Sequence, residues 1–98
     1  MIVLTAKFVA KAEYKSKIIQ LATTVAEPSR AEAGCVSYNL YEQPSSNNFL
    51  FLEEWADQKA LDEHFQTPHF QAFMKQFPEM IQGPSKIRVY EVGGIRDL

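Results

Sequence analysis

The segment Phe49-Leu50-Phe51-Leu52-Glu53-Glu54-Trp55 restricts the fold of this chain more than any other, because it reads as a strand with large apolar side chains on both faces. Alternation places Phe49, Phe51, Glu53 and Trp55 on one side and Leu50 and Leu52 on the other. The preceding strand, Cys35 to Gln43, reads similarly, with Val36, Tyr38 and Leu40 against Cys35 and Tyr41. An antiparallel sheet with one solvated face alternates apolar with polar residues, so this pair asks for cover on both sides.

The flanking sequence supplies cover for one side. Ile2 to Ala10 reads as a first strand, with Ile2, Leu4, Ala6 and Phe8 on one face. From Lys11 to Glu27 the residues Tyr14, Ile18, Leu21, Ala22 and Val25 recur at spacings of three and four, the stripe of a helix. Pro28 is expected to kink or restart that helix, and Gly34 to end it. The polar run PSSNN at 44–48 turns strand two into strand three. Asp57 is an N-cap for a short helix with Leu61, His64 and Phe65 inward, and Thr67-Pro68 pairs a second cap with a proline at the first helical position. That second helix carries Phe70, Phe73, Met74, Phe77 and Ile81, and Gln82-Gly83-Pro84 stops it before a last strand, Lys86 to Val92. The order β-α-β-β-α-β predicts a single α+β domain over residues 1–98, ferredoxin-like, with an antiparallel four-stranded sheet and helices on one face. No residues remain for another layer, so a second copy of the chain is expected on the open face, giving a homodimer.

Charge and length exclude several functions. Ten basic and twelve acidic residues give a formal charge of -2 with no basic stripe, so nucleic acid is not an expected partner. The N-terminal MIVLTAKFVA is broken by Lys7 and followed by Lys11, Glu13 and Lys15, too short an apolar run for a signal peptide or a membrane span; a cytoplasmic protein is expected. Cys35, the only cysteine, cannot form an internal disulfide and reads as a small buried hydrophobe.

Three ordered segments carry a family resemblance. They are Arg30-Ala31-Glu32-Ala33-Gly34-Cys35-Val36-Ser37-Tyr38-Asn39-Leu40-Tyr41, then Glu53-x-Trp55-x-Asp57-x-x-Ala60-Leu61-x-x-His64, then Thr67-Pro68-His69-Phe70. Together they resemble the antibiotic biosynthesis monooxygenase (ABM) domain of the dimeric α+β barrel superfamily, in particular small bacterial quinol monooxygenases and an autoinducer-processing relative. The resemblance implies a homodimeric barrel with a pocket between sheet and helices, and a cofactor-independent oxidation of a quinol-like or polyhydroxylated aromatic with O2. It also leaves room for an isomerase acting on a small phosphorylated metabolite, with Lys7, Arg30, Lys86 and Arg88 as candidate cations, and for a dimer that binds a small molecule without turnover. Haem-degrading relatives carry a strand-one asparagine, a tryptophan at the place of His64 and a histidine at the place of Met74, none of which this chain has.

Oxidation of a quinol without a cofactor needs a base to make the substrate an electron donor, a dry pocket, and donors for the developing oxyanion. His64 is the candidate base. Trp55, Tyr38, Phe51, Phe65 and Phe73 are the candidate substrate-binding residues, with the indole N–H of Trp55 available for a substrate oxygen and Tyr38, Tyr41 and Tyr90 as possible phenol donors. Glu53, between Phe51 and Trp55, needs a partner if buried, and Arg88 or Arg30 would serve. His69, just after its capping threonine, reads as a local helix-start residue. The two histidines are five apart across a helix break, so they do not form a His-x-x-x-His pair and no metal is expected.

Overall fold

The computed structural model covers Met1 to Leu98. Strand β1 (Ile2–Val9) leads through a 3-10 turn at Ala12–Tyr14 into helix α1 (Lys15–Arg30), then β2 (Cys35–Glu42) and β3 (Asn48–Trp55) form a hairpin. Two short helices, α2 (Gln58–Phe65) and α3 (Pro68–Gln76), and a 3-10 turn at Phe77–Met80 precede β4 (Lys86–Glu91). The strands form one antiparallel sheet in the order β2-β3-β1-β4, the α+β ferredoxin-like arrangement expected from the sequence. No helix is long and apolar enough to cross a membrane.

Pairing decides which residues share a face, because directly opposed residues of an antiparallel pair point the same way. Ile2 lies opposite Trp55, Leu4 opposite Glu53 and Phe8 opposite Phe49. These side chains are buried under Ile18, Ala22 and Val25 of α1 and Phe73 of α3. The other face carries Val3, Thr5 and Lys7 beside Leu50, Leu52 and Glu54 on one flank and Lys86, Arg88 and Tyr90 on the other. It is therefore more polar than alternation in β2 and β3 alone suggested, since four charged residues interrupt the apolar ones.

Four local expectations are corrected. In β2, Cys35 opposes Trp55 while Ser37 opposes Glu54, so Val36 is an extra, bulged residue. The bulge reverses the parity of the strand: Cys35, Tyr38 and Leu40 face the helices together, and Val36 is 55% exposed. Helix α1 does not restart at Pro28 but runs through it to Arg30, two residues further on, so the i−4 bond that the proline lacks is lost only near the C-terminal end of the helix. Helix α3 stops at Gln76 rather than reaching Ile81, with Pro78 in the following 3-10 turn; Met74 then points outward and Ile81 bridges to Ala10.

Gly34 is the fourth. Its backbone is not left-handed, as a C-terminal helix glycine would be; only Ser45 and Gly83 have positive φ. What Gly34 provides is room, since a Cβ there would overlap that of Ala60 on α2. The glycine lets α2 lie directly on the turn between α1 and β2. Gly34→Ala is expected to cost about 2 kcal/mol through overpacking, seen as a lower urea midpoint; an unchanged midpoint would show that the contact yields freely.

Candidate functional site

Three pieces of chain converge at the Trp55 end of the sheet. The turn after α1 is pinned by its backbone, with Glu32 N–H donating to Ser29 O at 3.1 Å, Cys35 N–H to Glu32 O at 3.0 Å and Ala56 N–H to Gly34 O at 2.8 Å. The start of α2 is fixed by Asp57 Oδ1, which accepts from Ala60 N–H at 2.8 Å. At the α2–α3 junction the Thr67 hydroxyl donates to His64 O at 2.7 Å and accepts from Phe70 N–H at 3.3 Å, with Pro68 opening α3. These caps set the angle between the two short helices, and that angle brings His64 and His69 to a ring separation of 5.9 Å.

Both histidines meet one carboxylate oxygen. Glu32 Oε2 lies 2.7 Å from His64 Nδ1 and 2.8 Å from His69 Nε2. His64 is fully buried, while the side chains of His69 and Glu32 keep 21% and 15% of their surface exposed. Burial pushes the His64 pKa below its ordinary 6.5, outweighing the hydrogen bond and charge of Glu32, which act upward. The ring is thus neutral near pH 7. A carboxylate only accepts, so the single proton of that neutral ring sits on Nδ1, donated to Glu32, and Nε2 is left with its lone pair. This Nε2 is buried and meets no hydrogen-bond partner. Aromatic rings enclose it: the centroid of Trp55 is 4.6 Å from that of His64, Phe70 5.1 Å, Tyr38 5.6 Å and Phe65 5.9 Å.

A second ionisable group lies on the same sheet face. Glu53 is buried, and its Oε1 accepts the indole N–H of Trp55 at 3.0 Å. Desolvation raises its pKa from 4.5 to about 7, with the Trp55 hydrogen bond pulling the other way. The partners proposed from sequence are not there: Arg30 donates to Tyr38 O and Asn39 Oδ1, each at 3.0 Å, and Arg88 is on the opposite face of the sheet. Trp55 likewise spends its N–H on Glu53, so it offers a substrate its ring face and not a donor.

Of the other candidates, Tyr38 and Phe65 touch the His64 cluster. Phe51 and Phe73 belong to the core behind it, since Phe51 is 5.8 Å from Tyr38 and Phe73 is 5.6 Å from Phe51. Tyr41 and Tyr90 are on the open face. Burial lifts the Tyr38 phenol above its ordinary 10 and the Cys35 thiol to about 11, so neither is a ready anion. Two cavities, of about 280 Å³ between α1 and β2 and about 500 Å³ beside the β1 and β3 ends remote from Trp55, are not lined by His64. The expected pocket at His64 is filled by rings, of which Phe65 and Phe70, packed 5.1 Å apart and only partly buried, are outermost.

Glu32, His64 and His69 also present three ligand atoms within 4.8 Å of one another, so the histidines do converge despite lying on different helices. A cation on His64 Nδ1 would force the proton to Nε2, where nothing accepts it, whereas a metal-bound histidine normally donates its other N–H. The donor set fits a hydrogen-bonded triad better than a metal centre. Sequence reasoning missed Glu32 and the link to His69; the only signal was that both lie inside the segments quoted for the family resemblance.

Comparison with known proteins accords with this architecture. The family model described as antibiotic biosynthesis monooxygenase, ABM, matches residues 1–76, a span containing Glu32, Glu53, Trp55, His64 and His69. The chain belongs to the ABM family. It is 40% identical over 98 residues to the uncharacterized protein sll1783 of Synechocystis, covering 99% of this chain and 67% of that protein. It is 36% identical over 85 residues to "Putative monooxygenase YcnE" of Bacillus subtilis, covering 86% of this chain and 90% of YcnE. The solved structure of Rv0793 from Mycobacterium tuberculosis superposes with a TM-score of 0.92 at 28% identity, covering 98% of each chain. Membership in the ABM family supports a monooxygenase-like role in general; the substrate must be argued from the site.

Proposed function

We propose that this ABM-family chain is a cofactor-independent monooxygenase acting on a quinol-like or polyhydroxylated aromatic, with His64 Nε2 as the general base. The observation that carries the reading is the state of the His64 ring: Nδ1 held by Glu32 at 2.7 Å, Nε2 buried, basic and unpaired among aromatic rings. A base in that state accepts a phenolic proton from a substrate that has displaced Phe65 and Phe70, and a flat aromatic replaces their ring contacts like for like.

The chemistry balances without an added reductant. Loss of a phenolic proton to Nε2 leaves a quinolate that donates electrons to O2, and a carbon–oxygen bond forms at the ring. The O–O bond then breaks, one oxygen stays on the ring, and the other leaves as water with two substrate hydrogens, one returned by His64. A hydroquinone thereby becomes a hydroxyquinone and itself supplies all four electrons that O2 takes up. The neutral phenol of Tyr38 and the carboxyl of Glu53 border this site and are able to donate to oxygen anions formed during the reaction.

The reading as an isomerase of a phosphorylated metabolite has less support, because Lys7, Lys86 and Arg88 lie on the sheet face opposite His64 and Arg30 is engaged by β2. We also propose a homodimer through the open face. Its support is the exposure of Tyr41 at 50% and Tyr90 at 43% beside Val3, Leu50 and Leu52 on that face. Sedimentation at twice the 11.2 kDa chain mass is expected, and a monomer at micromolar concentration counts against it.

The test of the function is oxygen uptake by protein freed of metal and flavin, with a panel of hydroquinones and polyhydroxylated aromatics. Uptake above the autoxidation rate with at least one member is expected. Uptake at the autoxidation rate for every member would contradict the reading.

A further inference from the structure

We propose that His69 is a positioning residue for His64 and acts through Glu32. The inference rests on the reading of His64 as the base, and it concerns what keeps the lone pair of Nε2 free.

Glu32 sits in a short turn between two exposed residues, Ala31 and Ala33, and part of its own side chain reaches solvent. A carboxylate so placed has water as a competing partner, and one hydrogen bond from His64 fixes it in only one direction. His69 supplies the second: its Nε2–H donates to the same Oε2 from another helix. His69 is itself held by the start of α3, where Pro68 precedes it and the Thr67 hydroxyl joins the end of α2 to the first turn of α3. Two donors, one from α2 and one from α3, thus clamp a single oxygen in the position that His64 Nδ1 needs.

The clamp has a chemical consequence. A neutral imidazole carries its proton on either nitrogen, and the hydrogen bond at one nitrogen decides which. With Glu32 in place the proton is on Nδ1 and Nε2 is a base. With Glu32 turned out to water, Nδ1 loses its acceptor and the proton is free to occupy Nε2, which then cannot take one from substrate. His69 never touches the substrate in this account. It sets the fraction of molecules in which His64 is competent.

Nitrogen-proton correlation spectra of 15N-labelled protein at pH 7.5 read the tautomer of each ring directly and need no turnover. In the wild type we expect His64 protonated at Nδ1 and His69 at Nε2; a bare Nε2 on His69 overturns the proposal without any variant. His69→Leu, which fills the space without a donor, should shift His64 to a mixture with Nε2–H. Its kcat for quinol oxidation should fall roughly tenfold, with KM little changed, because the base is lost from part of the population. His69→Gln, whose amide offers an N–H at similar reach, should restore both the tautomer and most of kcat. Retention of a pure Nδ1–H tautomer in His69→Leu, or a His69→Gln protein as impaired as His69→Leu, overturns the proposal. If the wild type oxidises no quinol at all, the base reading fails, while the tautomer results still decide the role of His69.

Discussion

His64→Ala should lower substrate-dependent oxygen uptake by about 10²- to 10⁴-fold, the range a positioned general base contributes. The residue is wholly buried at the contact of α2 with Trp55, so truncation also leaves a cavity and destabilises the fold by about 2–4 kcal/mol. Rates are therefore to be compared at a temperature where circular dichroism shows both proteins folded. His64→Gln serves as a second variant of closer volume that cannot act as a base near neutral pH, and it should be as slow as the alanine variant. The pH dependence is a further check. The base works only as neutral imidazole, and burial lowers its pKa below 6.5, so the acidic limb of kcat/KM should lie below 6.5 and vanish in both variants. Uptake that survives either substitution would remove His64 from the mechanism.

Glu53→Gln should make the protein more stable at pH 8 and leave it almost unchanged near pH 4.5. The folded carboxyl keeps its proton up to about 7, whereas in the unfolded chain it loses it near 4.5. Between those values the folded state holds more proton than the unfolded state, so stability falls as pH rises, and above about 7 the full penalty is present. A displacement from 4.5 to about 7 corresponds to a penalty on the order of 3 kcal/mol. Glutamine keeps an oxygen for the Trp55 N–H at 3.0 Å but cannot ionise, so it removes the penalty and preserves the indole orientation. His64 contributes the opposite slope: its lowered pKa costs stability as pH falls below 6.5, because the unfolded imidazole takes a proton that the buried ring resists. Urea melts at pH 5, 6.5 and 8 separate the two slopes. A Glu53→Gln protein that is less stable than wild type at pH 8 would show that the carboxylate is held by something other than the indole. A buried carboxyl kept at this cost, beside the ring that packs on His64, is consistent with a site that trades stability for function.

The parts of this protein that sequence made legible are those fixed by local pattern. Asp57 and Thr67-Pro68 announced both short helices because capping chemistry acts over three residues, and Leu61 with Phe65 turned His64 inward by helical spacing alone. The ferredoxin-like class followed from the order of strands and helices along the chain. What escaped depended on geometry that no spacing encodes. One bulged residue at Val36 reversed the faces of β2, and a two-residue rule has no way to register an insertion. Glu32 lies in an irregular turn without periodicity to aim its side chain. His69 reaches Glu32 only because the junction at Thr67 sets the angle between α2 and α3, so its place at a helix start carries no sign of a contact 37 residues distant in sequence. Glu53 was correctly expected to need a partner; the nearest one turned out to be the indole two residues along its own strand.

The central claim, that one oxygen atom of O2 enters an aromatic substrate through deprotonation by His64, is met most directly by turnover under 18O2 with mass analysis of the product. One labelled oxygen atom per product molecule, with its formation abolished in His64→Gln, is the result this account predicts. A product that carries no label, or labelled product formed at the wild-type rate by His64→Gln, would contradict it.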